Sequence, residues 1–244
     1  MSARRFCAVL FDLDDTLYEE RQYFRSGFSV IARSLQARGF GNSDETCALL
    51  ERFHHNEGRQ KVLQKLAVRL GFPTDWIPGL VDQFREHVPE IQLASDSTSV
   101  LQRLRANYRL GCVTDGWHAV QQRKTAALGV ESMMDAIVFS DELGRAFWKP
   151  DARPFLVCCE RLGVRPQEAV FVGDNPERDI AGAHAAGLYT VRLRRTGGYF
   201  GASECSNVHA TDTEITSLEE LPRILDALES AGPLAAKPSY TTGA

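Results

Sequence analysis

In FCAVLFDLDDTLY, residues 6–18, three aspartates (Asp12, Asp14 and Asp15) fall within four positions directly after an apolar run. Two carboxylates about 5 Å apart repel by roughly 3 kcal/mol at an effective dielectric near 20. Folding alone does not explain that cost, so a counter-charge and a task are expected elsewhere in the chain. A second acidic group, Asp174, Glu177 and Asp179, follows Gly173 in VFVGDNPERDIAGA. Residues two apart at a strand end point the same way, so Asp12 and Asp14 are expected to converge on one ligand. Joined by Asp174, such carboxylates with no histidine or cysteine set suit a hard cation, Mg²⁺ rather than Zn²⁺. Each acidic group taken alone is also ordinary N-cap or turn chemistry.

Two further stretches offer partners to an anion. VTDGWHAV ends an apolar run at Thr114 and turns through Asp115 and Gly116 into a helix, presenting a hydroxyl and backbone N–H groups to a phosphate. FWKPDARPF presents Lys149. The chain has five lysines against 23 arginines, so a compact ammonium at this point reads as required, although a lysine before proline is also common surface decoration.

Five short apolar runs must position these groups: AVLF at 8–11, LGCVT at 110–114, AIVF at 136–139, AVFVG at 169–173 and YTVRL at 189–193. Helical patterns at 117–128, 151–162 and 176–186 separate the last four. Continuous rather than alternating apolar strands, interleaved with helices, predict a doubly wound, mainly parallel Rossmann-like α/β sheet covered on both faces. In such sheets the strand C-terminal ends share one edge, where ligands bind, so Asp12, Asp14 and Asp174 can meet there.

Residues 18–91 read differently. Phe24, Phe28, Ile31 and Leu35 recur at helical spacing, as do Leu63, Leu66, Ala67 and Leu70, then Ile77, Leu80, Val81, Phe84 and Val88. This predicts an all-helical domain inserted into a core made of 1–17 and 92–230. Thr216 and Ser217, each followed three residues later by glutamate, predict a final helix with a capping box. The tail 231–244 lacks periodicity and is expected to be flexible.

Hydrophobic residues make up 43% of the chain, which supports an ordinary core, and the net charge of −4 argues against nucleic-acid binding. No apolar stretch approaches the ~20 residues of a membrane span. The N-terminal apolar run meets acids at once, unlike a secretion signal. Six cysteines without a disulfide-like framework point to a reduced, cytoplasmic protein.

Taken in order, four motifs resemble those of the haloacid dehalogenase superfamily, specifically its phosphatase-like members with a helical cap. These are Asp12-Leu-Asp14-Asp15-Thr16, Thr114, Lys149-Pro150-Asp151, and Gly173-Asp174 with Asp179. The resemblance runs from about residue 6 to 193, while the inserted segment carries no comparable motif. It implies Asp12 as a nucleophile forming an aspartyl-phosphate and Asp14 as general acid, then general base. It also implies Mg²⁺ held by the Asp12 carboxylate, the Asp14 backbone carbonyl and Asp174. Thr114 and the backbone N–H of Asp115 would bind phosphoryl oxygens, and Lys149 would balance charge. Asp179 would orient Lys149 or the water shell of the metal, and Thr16 would fix the turn by hydrogen bonding. The cap of the family closes over the cleft and selects the leaving group; Arg21, Tyr23 and Arg25 are candidates to face it.

The expected function is therefore an Mg²⁺-dependent phosphatase of a small phosphorylated metabolite, acting as a monomer or homodimer. A phosphomutase shares the core site and differs in shielding the phosphoryl group from water, and a silent phospholigand-binding protein is the non-enzymatic alternative. A phosphorelay receiver would place its acceptor aspartate in the middle of the motif order. A dehalogenase needs no proton donor two residues after its nucleophile.

Overall fold

Ala8–Phe11 forms β1, and all four of its residues are buried, as a strand covered on both faces requires. The computed structural model describes residues 5–57, 61–196, 198, 200 and 211–230. Cys205 and the tail expected at 231–244 lie outside those residues. The chain divides into two units, Glu20–Gln92 and the segments on either side of it, Met1–Glu19 with Leu93–Ala244.

The first unit is helical: α1 (Glu20–Ala37), α2 (Ser43–Glu57), α3 (Val62–Leu70) and α4 (Ile77–Glu86). The anticipated stripe of α1 buries Phe28, Ile31 and Leu35, which pack with Leu50, Leu66, Phe72 and Leu80. Tyr23 is buried in the same unit, its ring 5.3 Å from that of Phe84 and 5.0 Å from that of His87. The predicted pattern carried α4 through Val88, but the helix ends two residues earlier and Val88 is 82% exposed. Val88 precedes Pro89, whose ring keeps the preceding residue out of the helical region.

The second unit holds α5 (Ser95–Arg105), β2 (Arg109–Thr114), α6 (His118–Leu128), β3 (Ala136–Phe139), α7 (Arg153–Leu162), β4 (Ala169–Gly173), α8 (Ala181–Ala185), β5 (Tyr189–Leu193), β6 (Thr213–Ile215) and α9 (Leu221–Ser230). All sheet pairings are parallel, in the order β3-β2-β1-β4-β5-β6. Phe155, Cys158, Cys159 and Leu162 of α7 and Ala183 of α8 pack with Ala8, Leu10, Val113 and Phe171 of the sheet, while α5 lies against β2 and α9. Ser217 and Glu220 make the expected capping box, which opens a short 3₁₀ turn, Leu218–Glu220, leading into α9. Among the described residues no helix is long and apolar enough to cross a membrane.

Register sets the functional edge. Phe11, the last residue of β1, pairs with Cys112 of β2 and with Val172 of β4. Asp12 therefore leaves the sheet level with the end of β4 and one residue short of the end of β2, its N–H still donating to the Val172 carbonyl at 2.9 Å. From β1 the strand order runs outward in opposite directions, so the β1/β4 boundary is where an open α/β sheet forms a crevice.

Candidate active site

Asp12, Lys149 and Asp174 follow three different strands and Thr114 ends a fourth, and all four are buried. Lys149 Nζ donates to Asp12 Oδ1 and, at 2.7 Å, to Asp179 Oδ1. Carboxylate oxygens of Asp12, Asp174 and Asp179 all lie within 4.8 Å of one another. The long-range gathering expected of residues 12 and 174 is thus present, with Asp179 as a third member.

Local structure explains how Asp179 arrives. Asn175 caps the turn Pro176–Ile180, its side chain accepting from the N–H groups of Glu177 and Arg178. That turn folds Asp179 back over the end of β4, where its Oδ2 accepts from the Asn175 N–H at 3.1 Å. A Cβ added at Gly173 would stand 2.7 Å from that same Oδ2, so a glycine is required for the close approach.

Three buried carboxylates face one ammonium, and Asp12 and Asp174 respond in their proton affinities. Burial, then Asp179, push Asp12 well above the carboxylate range, against the pull of Lys149. Burial, then Asp179 and Asp12, push Asp174 up to about 10. Burial opposes the charge on Lys149, but Asp12, Asp179 and Asp115 outweigh it and raise its pKa. A divalent cation would relieve this excess of negative charge. The donors are all carboxylate oxygens within reach of one point, so the site fits a hard cation.

Asp14 is held by groups outside the four motifs. β1 ends at Phe11 and Asp15 adopts a left-handed conformation, φ 56°, so the two-residue strand period does not extend to Asp14. Its Oδ1 accepts from Tyr18 Oη and, at 2.6 Å, from Lys124 Nζ; its Oδ2 accepts from Gln121 Nε2 at 2.9 Å. Burial works against its charge, yet the Lys124 ammonium and the three donors prevail and hold its pKa below the ordinary value. The sequence reading did not single out Lys124, Gln121 or Tyr18. The scarcity of lysine applied as well to Lys124 as to Lys149. A further signal lay in α6, whose buried face is largely polar: Gln121, Lys124 and Thr125 with Leu128.

Thr114 Oγ1 accepts from Gln121 Nε2 at 2.5 Å, which leaves its own proton to donate. The Asp115 side chain pairs with Arg178 and accepts from the Lys149 N–H at 3.2 Å, tying the second and third motif loops together. Thr16 differs from expectation. Its hydroxyl is buried with no hydrogen-bond partner among the described residues, and the loop is held instead through its carbonyl, which accepts from Arg195 at 3.0 Å.

A family model described as haloacid dehalogenase-like hydrolase matches residues 9–193, from β1 through β5. Glyceraldehyde 3-phosphate phosphatase of Methanopyrus kandleri is 32% identical over 227 residues, 88% of this chain and 94% of that one. A HAD phosphatase of known structure from Thermococcus onnurineus is 27% identical with a TM-score of 0.57, over 90% of this chain and 98% of its own. The 2-haloacid dehalogenase of Pseudomonas syringae pv. Tomato DC3000 is 25% identical with a TM-score of 0.63, over 91% of this chain and 99% of its own. The family pattern runs through the strands that carry all four motifs, and this chain belongs to the haloacid dehalogenase-like hydrolases.

Proposed function

We propose that this enzyme is an Mg²⁺-dependent phosphatase that hydrolyses a small phosphomonoester through an aspartyl-phosphate on Asp12. The carrying observation is the position of Asp12: buried at the β1/β4 crevice, paired with Lys149, and within 4.8 Å of two further carboxylates. A carboxylate so placed is oriented by an ammonium and lies beside a cation site, the environment an attack on a phosphate dianion requires.

Asp12 and Asp174 would hold the ion with the Asp14 backbone carbonyl, and Asp179 stands close enough to join them. When bound, the cation neutralises acid–phosphate repulsion and polarises the phosphoryl group. Thr114 donates its hydroxyl proton, and Asp115 its backbone N–H, to phosphoryl oxygens. Lys149 balances the charge of nucleophile and phosphate together. Asp14 protonates the leaving oxygen and then takes a proton from the water that hydrolyses the intermediate.

Dehalogenases are also among the relatives. A halide leaves unprotonated, so that reading gives Asp14 and its three donors no task. The names of the closely matching phosphatases support a phosphorylated sugar or related small metabolite as substrate. The five described cysteines are all free, which supports a reducing compartment such as the cytoplasm.

The test is release of inorganic phosphate from p-nitrophenyl phosphate with and without Mg²⁺, followed by a panel of phosphorylated metabolites. Turnover that needs the metal and disappears in Asp12→Asn is expected. Full metal-dependent activity in that variant would remove the nucleophile from the scheme.

A further inference from the structure

Asp14 is held from three sides by groups outside the four motifs. A carboxylate has about four lone-pair sites. Lys124 Nζ and Tyr18 Oη take two on Oδ1, and Gln121 Nε2 takes one on Oδ2. The remaining site lies on Oδ2. Lys124 is 4% exposed and lies one helical turn beyond Gln121 on the inward face of α6. The same Gln121 Nε2 also donates to Thr114 Oγ1, so one amide ties Asp14 to the threonine that ends β2. Gly116, at φ 131°, passes within 3.1 Å of the Gln121 side chain measured from the Cβ it lacks, which leaves that amide its path.

We propose that Lys124, with Tyr18 and Gln121, is a positioning residue that fixes Asp14 so that Oδ2 is its working oxygen. This rests on the phosphatase reading. Oδ1 keeps both of its donors throughout, so the proton that Asp14 passes on travels by Oδ2, the oxygen with the remaining site. As the ester P–O bond breaks, its electron pair goes to the leaving oxygen, which takes the proton from Oδ2. In the second half of the reaction Oδ2 accepts a proton from the attacking water, whose oxygen bonds to phosphorus as the Asp12–phosphorus bond breaks. Lys124 keeps its own protons throughout and acts by anchoring Oδ1. Without the anchor the carboxyl group rotates about χ2, and proton transfer to a basic leaving group suffers most, because a stable leaving anion needs none.

The experiment compares kcat/KM on phenyl phosphate and p-nitrophenyl phosphate, with Mg²⁺, for the wild type, Lys124→Met and Tyr18→Phe. Nitrophenolate departs without a proton and phenolate benefits from one. Lys124→Met is expected to lose about tenfold or more on phenyl phosphate, at the low end of general-acid contributions, and less than about threefold on p-nitrophenyl phosphate. Tyr18→Phe should lose in the same direction by a smaller factor, and it decides the matter if thermal melting shows that Lys124→Met does not fold. Equal losses on both esters, or none, would overturn the proposal. A wild type inactive on both esters would instead overturn the phosphatase reading.

Discussion

Lys149 reaches Asp179 across 2.7 Å, although the two residues follow different strands and stand 30 positions apart. The same Nζ bonds to Asp12, so one ammonium spans two of the three carboxylates that crowd the crevice. It does not neutralise the third. Burial, then Asp179 and Asp12, push Asp174 upward against the pull of Lys149, and the site carries a built-in demand for further positive charge.

That demand predicts metal-linked stability. Saturating Mg²⁺ should raise the melting temperature of the wild type; at a hundredfold excess over Kd the linkage is about 2.7 kcal/mol. Asp174→Asn should lose most of this increment while melting above the wild type in EDTA at neutral pH, because asparagine mimics the neutral acid without having to take up a proton on folding. Differential scanning fluorimetry with and without the metal reads both effects. An increment unchanged in the variant would remove Asp174 from the ligand set.

The raised affinities for protons fix the sign of a pH dependence. An aspartate in the unfolded chain titrates near 3.9, whereas burial and its neighbours hold Asp174 at about 10. Between those values the native state binds more protons than the unfolded state, so metal-free stability falls as pH rises. The melting temperature in EDTA should decline from about pH 5 to about pH 9, less steeply in Asp174→Asn. Mg²⁺ competes with the same protons, so its affinity should rise across that range. A wild-type curve parallel to that of the variant would contradict the assignment.

Legibility in the sequence followed the physics of each element. The five longer strands are almost wholly buried and read as mainly apolar runs, so Asp12, Thr114 and Asp174 could be placed at strand ends from the sequence. β6 escaped notice because it is three residues long, Thr213–Ile215, and only Ile215 is buried. α2 escaped because Leu50 alone of its apolar residues is fully buried. The partners of Asp14 could not be read from the strand period, which stops at Phe11. Lys124 was invisible for a related reason: a polar residue on the inward face of a helix breaks the rule by which such faces are found.

A partly buried ion pair supports the loop that carries the first motif. Asp96 accepts from both terminal nitrogens of Arg195, at 2.8 and 2.9 Å, and from the Leu218 N–H at 3.0 Å. Arg195 also donates to the Thr16 carbonyl. Burial opposes the charge on Asp96, but Arg195 outweighs it and holds the pKa below the usual value. Asp96→Asn should cost about 2–3 kcal/mol, somewhat less than breaking a fully buried pair. Because the native pKa is depressed, this stabilisation is present above the unfolded pKa and is lost as pH falls through the native one. Urea unfolding at pH 7 should therefore show a gap between wild type and variant that narrows toward pH 3, and a pH-independent gap would mean that the charge plays no part.

Gly173 offers the sharpest test of the acidic cluster, because the substitution changes no charge and no ligand. An alanine methyl there would lie 2.7 Å from Asp179 Oδ2 and 2.8 Å from its Cβ, closer than real Cβ atoms approach. The glycine sits in the last position of β4, where its backbone φ is unexceptional, so the penalty comes from space and not from conformation. Asp179 must then move off Lys149, and the oxygen cluster opens. Gly173→Ala should weaken Mg²⁺ binding by about 10–100-fold, the scale on which groups that orient metal ligands act. Isothermal titration of the folded variant measures this directly. Binding as tight as in the wild type would show that the ion does not depend on Asp179 standing where β4 ends.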